Sequence, residues 1–305
     1  MTRTLSKFRP YDVGELGEKW NFVSDHLPIG VLIGDFRALS WNVLNEQYMH
    51  YIKENGQGLN GSLITQLHGV MASKGLNLRE EIIFKELMLL MDDRYPRSII
   101  ALQEVSNNLS KCLWKYRPKD WEILSPAATK QREQIVLYKK NIFEFVDCTY
   151  SIYDKKSAKV VFILTLLEKN SGTHFRFIQS HIPTTEKGPE KFVKEVAAHF
   201  DPHLTTILMG DLNTDPHNIQ DVLEKESLPF HPLLTSYPTH INRHRQACWY
   251  DAFFVYNPNK IHTMSDEANT YFEDTSVSLH HKNITVSGVE SMASLLQLKL
   301  PRSTL

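Results

Sequence analysis

Between residues 22 and 257, short β-rich runs alternate with stretches of helical period, and this alternation constrains the fold more than any other feature of the chain. Strands and helices taken in turn bury their apolar faces most readily in stacked α/β layers. At the front, residues 26–33 and 36–43 read as two strands joined at Gly34-Asp35. Two residues of that type between apolar runs mark a hairpin, because a tight turn needs residues that tolerate positive φ. Residues 98–102 form a buried strand that ends at Gln103-Glu104, and 134–138 and 159–167 are strand candidates. Residues 173–179 alternate into Ser180-His181, 206–209 run into Gly210-Asp211-Leu212-Asn213, and 253–256 follow Asp251. Helical spacing of Ile83, Leu87 and Leu90/Met91 predicts a helix over 77–92 with Asn77 as its cap, and 192–200 reads as another. Beyond Pro258 the pattern weakens: 276–287 could form strands, and 291–300 either a helix or a last strand.

No repeat, low-complexity tract or Pro/Gly/Ser-rich linker divides the 305 residues, so the expectation is one domain over 1–305, with a core at about 22–257 and an extension over 258–305. Hydrophobic residues at 42% and aromatics at 10% suffice for a sizeable core and exclude a disordered or fibrous chain. The net charge of −1 argues against a strongly basic nucleic-acid binder. It does not exclude a phosphate-bearing substrate, since a divalent metal would supply local positive charge. Cys112, Cys148 and Cys248 are odd in number and lack metal-ligand spacing, so they read as buried or semi-buried thiols in a reducing compartment. Residues 1–11 are polar and basic, unlike a secretory signal, and no apolar run approaches the ~20 residues of a membrane span. The expected location is the cytoplasm, with delivery by a non-classical route left open, and no protein partner can be inferred.

Asn42, Glu104, Asp211, Asn213, Asp251 and Asp25 each lie at or near the end of a short apolar strand, where α/β proteins build crevices. Singly, each has a mundane reading as a helix cap or turn former; the information is in the set. Among the 14 histidines, His217, His231, His240, His244, His280 and His281 default to solvated or loop roles. The locally basic loop 238–245 carries Arg243 and Arg245, which could grip a phosphate or simply face solvent.

Taken together, the motifs Leu39-Ser40-Trp41-Asn42-Val43-Leu44, Gln103-Glu104, Ser180-His181-Ile182-Pro183, Gly210-Asp211-Leu212-Asn213 and Tyr250-Asp251-Ala252 resemble, in order, the metal-dependent endonuclease/exonuclease/phosphatase family. That family closes its chain with a Ser-Asp-His-x-Pro motif; here Ser24-Asp25-His26-Leu27-Pro28 precedes the opening motif. The chain therefore resembles a circularly permuted member, its last strand moved to the front and spliced through the Gly34-Asp35 turn. The resemblance implies a four-layer α/β sandwich of the DNase I type, with two mostly antiparallel sheets flanked by helices. It also implies a Mg²⁺- or Mn²⁺-dependent phosphoesterase that attacks with water and forms no covalent enzyme intermediate. Glu104 would be the principal metal ligand, with Asn42 beside it and Asp25 direct or through water. Asp211 would orient or deprotonate the water, and Asn213 would hold the water or a phosphoryl oxygen. His26 would contact the scissile phosphate, Asp251 would orient His26 through a hydrogen bond, and His181 would be a phosphate contact or general acid. The favoured substrate is a phosphodiester in nucleic acid or a nucleotide. Phospholipid, sphingomyelin or inositol-phosphate substrates, and a catalytically silent binding module, are the alternatives.

Overall fold

The computed structural model describes residues 24–26, 28–33, 36–49, 65, 68–72, 74–92, 98–126, 133–155, 159–234, 239–241 and 247–258. Gly34-Asp35, Arg243, Arg245 and nearly all of the extension expected from 258 onward lie outside the described residues. In chain order the elements are β1 (Ile29–Ile33), β2 (Phe36–Asn42), a 3-10 turn (Glu46–Tyr48), α1 (Leu78–Leu90), β3 (Ile99–Gln103) and α2 (Asn107–Tyr116). There follow β4 (Trp121–Leu124), β5 (Ile135–Lys139), β6 (Phe143–Asp154), β7 (Lys159–Glu168), β8 (Thr173–His181) and α3 (Gly188–Ala198). The last are β9 (Thr205–Asp211), α4 (Pro216–Lys225), β10 (His231–Leu233), β11 (His240–Ile241), β12 (Ala247–Cys248) and β13 (Asp251–Tyr256).

Strands β1-β2-β3-β5-β4 form one sheet and β10-β13-β9-β8-β7-β6 a second, while β11 and β12 pair apart. Each large sheet is antiparallel except for one parallel pair, β2 with β3 and β8 with β9. Side chains alternate between faces along a strand, and here that alternation sorts the apolar residues into three cores. Leu39 and Trp41 of β2, with Ile100 and Leu102 of β3, pack on Ile83 and Leu87 of α1 and Leu109 and Leu113 of α2. From the opposite face of the same strands, Ala38, Ile99 and Ala101 meet Leu164, Phe177, Ile207, Met209 and Phe253 of the second sheet. The outer face of that second sheet, with Ile163, Ile178, Leu208 and Phe254, lies under Val193 and Val196 of α3 and Ile219 and Leu223 of α4. Three cores between four layers make the α/β sandwich that the family resemblance implied.

Asn77 caps α1 as expected: its side chain accepts from Glu80 N, and Glu80 reaches back to the Asn77 N–H, closing a capping box. Ile33 pairs with Phe36, so β1 and β2 are antiparallel neighbours across residues 34–35. Strand β1 begins at Ile29 and not at residue 26; His26 forms instead an isolated antiparallel bridge with His240. Helix α3 begins at Gly188, ahead of its apolar pattern, because Pro189 suits a first helical turn whose N–H groups have no partner. Cys112 is buried and Cys248 half-buried, but Cys148 is exposed on β6, which corrects the expectation for that thiol. Strand β6 is a sheet edge with Phe145, Val146, Tyr150 and Ile152 all more than two-fifths exposed, and that pattern hid it from a search for half-buried strands. No helix among the described residues is long and apolar enough to cross a membrane.

Candidate active site

Pairing register brings the polar strand ends to one edge of both sheets. Asn42 lies beside Gln103 across the parallel β2–β3 pair, next to Glu104. In the other sheet Asp211 has His181 on one side in β8 and Asp251 on the other in β13. Strand β13 runs antiparallel to β9, so its first residue reaches the edge where the parallel strands end. Two backbone positions make this edge possible. A Cβ on Gly210 would sit 1.9 Å from Ser180 O, so only glycine allows β8 and β9 to approach there. Glu104 holds φ at 56°, a left-handed conformation costing about 1–2 kcal/mol for a residue with a side chain, which turns its carboxylate out of the β3 path.

One oxygen is the hub. Asp211 Oδ2 accepts from Asn42 Nδ2 at 2.8 Å and from Asn213 Nδ2 at 3.3 Å. His26 Nε2 lies 3.6 Å and His181 Nε2 3.5 Å from the same atom. The other oxygen, Oδ1, accepts the Asn213 backbone N–H at 2.9 Å. Asn42 Nδ2 also donates to Glu104 Oε1 at 2.9 Å, and the Asn45 N–H reaches Glu104 Oε2 at 3.1 Å. Burial, reinforced by Asp25, pushes the Glu104 carboxyl up to about 7 against the Asn42 hydrogen bond and the Lys159 charge. Burial likewise raises Asp211, opposed by the His26 charge.

His26 forms one wall. It donates Nδ1–H to Asp251 Oδ2 at 2.8 Å, across 225 residues of chain. Burial disfavours its charge, but Asp251, Asp211 and Asp25 together outweigh that and hold its pKa well above 6.5. The leading segment is fastened in place by Ser24 Oγ, which donates to Asn42 O at 2.7 Å, and by Trp41 Nε1, which donates to His26 O at 3.1 Å. Ser24 and His26 are thereby held at the crevice, beside Asn42 and Asp251. His240, expected to be solvated, is instead packed here. Its ring lies 4.3 Å from the His26 ring and 5.0 Å from that of Tyr250, and its Nδ1 donates to Asp25 O at 3.0 Å. Burial and the neighbouring His26 charge lower it to about 4. Thr239, just before it, accepts the Tyr250 and Asp251 N–H groups at 3.1 and 3.0 Å, seating the strand that carries Asp251.

His181 forms the opposite wall. Its Nε2 is 3.5 Å from both Glu104 Oε1 and Asp211 Oδ2, and its Nδ1 is 2.7 Å from Lys159 Nζ. Burial, with Lys159 and His26 acting the same way, drives its pKa well below 6.5. Arg79 of α1, fully buried, donates to Val43 O at 2.8 Å and Leu44 O at 2.6 Å and so holds the loop that presents Asn42 and Asn45. Sequence reasoning missed Lys159, Arg79 and Asn45. Each acts through a neighbour, and none stands at an apolar strand's end except Lys159, which opens one.

The donor chemistry fits a hard divalent cation: several carboxylates, those of Glu104, Asp211 and Asp251 among them, are buried together. Donor atoms of Glu104, His181 and Asp211 lie within 4.8 Å of one another, as do those of Asp25, His26 and His240. Asn42 turns its NH₂ toward the carboxylates while its Oδ1 accepts from Leu44 N at 2.9 Å, so ligation through Oδ1 would require the amide to turn. The Asn213 amide is engaged with Ile182 O at 2.9 Å and with Asp211, which makes it a brace for that carboxylate.

No protein-family model and no curated protein sequence matches this chain. Solved structures do. An endonuclease/exonuclease/phosphatase family protein from Bacteroides thetaiotaomicron matches with TM-score 0.51 at 14% identity, covering 75% of this chain and 84% of that one. A mannosyl-6-phosphatase from the same organism matches with TM-score 0.51 at 14% identity, over 72% and 84% of the two chains. The chain has the endonuclease/exonuclease/phosphatase fold. A functionally unknown conserved protein from Enterococcus faecalis shares this fold, with TM-score 0.50 at 15% identity over 75% and 87%. In this fold's frame, the crevice described above lies at the edge where the two sheets' polar strand ends converge.

Proposed function

We propose that the chain is a divalent-metal-dependent phosphoesterase that cleaves a phosphodiester, with nucleic acid or a nucleotide as favoured substrate. The observation that carries this reading is the convergence on Asp211 Oδ2 of Asn42, Asn213, His26 and His181, with Glu104 in the same buried pocket. Glu104, Asp25 and Asn42 would hold Mg²⁺ or Mn²⁺, which when bound would neutralise phosphoryl charge and ease departure of the leaving oxygen. Asp211, its basicity raised by burial and its orientation set by Asn213, accepts a proton from the attacking water. His26, kept protonated by Asp251, presents Nε2–H to phosphoryl oxygens whose charge grows in the transition state. His181 supplies a second donor from the opposite wall. On this reading residues 24–33 are the counterpart of the strand that closes the family's chain, and the chain is a circular permutation. Arg243 and Arg245 remain candidates for phosphate contact.

A second reading, hydrolysis of a phosphomonoester on a sugar, is favoured by the mannosyl-6-phosphatase activity named for one similarly folded protein. Bis-p-nitrophenyl phosphate and p-nitrophenyl phosphate, each with Mg²⁺ or Mn²⁺, separate the two. Preference for the diester, abolished by Glu104→Ala and His26→Ala, supports the first reading. Preference for the monoester moves the assignment to the second, and turnover of neither, or turnover indifferent to both substitutions, defeats the enzyme.

A further inference from the structure

We propose that Lys159 is a positioning residue that locks His181 in its neutral Nε2–H tautomer, making the imidazole a hydrogen-bond donor to the phosphoryl group and not a proton-transfer base. The proposal deepens the phosphoesterase reading and rests on it for the word phosphoryl; the tautomer itself follows from geometry alone.

Lys159 opens β7, the strand paired with β8, two residues before Val161, which pairs with Ser180, the neighbour of His181. Its Nζ lies 2.7 Å from His181 Nδ1. An ammonium has three donors and no acceptor, so the ring nitrogen facing it must offer a lone pair. The single proton of a neutral imidazole is then on Nε2, the nitrogen 3.5 Å from Glu104 Oε1 and Asp211 Oδ2 inside the crevice. Protonating Nδ1 would set an N–H against an N–H in a buried pocket. The backbone is fixed as well: Tyr153 Oη donates to His181 O at 3.3 Å and shares a hydrogen bond with Ser180 Oγ at 3.1 Å.

A simpler role for Lys159 is charge compensation: burial lowers its pKa, and Glu104, Glu133, Asp211 and Asp154 act against that in favour of the ammonium form. A compensating charge need only be near those carboxylates and would leave the imidazole free to take either tautomer. A 2.7 Å contact aimed at Nδ1 specifies one.

The test is long-range ¹H–¹⁵N correlation spectroscopy of histidine-labelled protein at neutral pH, with the His181 signals assigned by their loss in His181→Gln. The expected result is an unprotonated Nδ1 and a protonated Nε2 in the native chain. In Lys159→Met the ring should move to a mixture or to Nδ1–H, with kcat on the preferred nitrophenyl phosphate falling about tenfold or more while KM changes little. Lys159→Arg should retain both the tautomer and most of kcat. An Nδ1–H or imidazolium His181 in the native chain overturns the proposal, as does an unaltered tautomer in Lys159→Met. If Lys159→Met fails to fold, the native spectrum decides. A native chain with the expected tautomer but no turnover of any phosphoester would sink the phosphoesterase reading and leave the Lys159 assignment standing.

Discussion

The two walls of the crevice carry imidazoles that point their Nε2 atoms at the same carboxylate oxygen, yet their backing is opposite. His26 leans on the Asp251 carboxylate at 2.8 Å and is held positive. His181 leans on the Lys159 ammonium at 2.7 Å and is held neutral. Both rings are buried, so desolvation works against charge on each; at His26 the carboxylates of Asp251, Asp211 and Asp25 outweigh it, while at His181 the Lys159 charge adds to it. On the proposed phosphoesterase reading such a site would separate two tasks. The charged donor would answer negative charge that grows in a transition state, and the neutral donor would orient an oxygen without adding a second cation beside the first.

The comparison is broken most easily from the charged side. His26→Ala should reduce kcat about 10³-fold with little change in KM, because its contact strengthens as phosphoryl charge develops. Asp251→Asn should reduce it about 10²-fold, since the imidazole then keeps burial but loses the carboxylate that offsets it. If Asp251→Asn retains full activity across the pH range, the backing of His26 is irrelevant and the contrast fails. Glu104→Gln should abolish metal-dependent turnover yet raise the stability of metal-free protein by about 1–2 kcal/mol. It removes a carboxylate that burial and Asp25 push up to about 7. Thermal unfolding without and with Mg²⁺ reads both effects.

The two histidines should also move stability in opposite directions with pH. For His26 the folded pKa lies above 6.5, so its stabilisation is full below that value and is lost as pH rises through the folded pKa. For His181 the folded pKa lies below 6.5, so the unfolded chain binds the extra proton and stability falls as pH drops beneath 6.5. In metal-free protein, His181→Gln should therefore gain on the native chain as pH is lowered, while His26→Gln should lose most at acid and neutral pH. Parallel shifts for both would show that the walls are electrostatically alike. The smallest effect is expected for Tyr153→Phe, about 1 kcal/mol from hydrogen bonds to Ser180 and the His181 carbonyl.

Much of the frame was legible before any coordinates. Apolar runs over 98–102 and 206–209 became β3 and β9 within a few residues, because strands buried on both faces write continuous apolar segments, and the alternating run over 173–179 became β8. Glu104 and Asp211 stood out because each directly follows or ends such a run, whereas His181 was singled out only by the family resemblance. Strand β6 escaped because an exposed edge strand lacks that contrast; α2 and α4 escaped although Leu109, Cys112 and Leu113 and Ile219 and Leu223 recur at helical spacing along their buried faces. His240 looked like one more loop histidine until the bridge to His26 and the Tyr250 ring enclosed it.

What the sequence determined by itself is the layered fold and the residue types at the strand ends, for alternation and burial are local properties written along each run. What only the tertiary structure decided is the charge state of each imidazole. Asp251 meets His26 across 225 residues and Lys159 meets His181 across a strand pairing, so those fields exist only once the chain is folded. Periodicity says which face a side chain takes; it is silent on who stands opposite, and across a few ångströms of buried, low-dielectric space the opposite neighbour sets the proton.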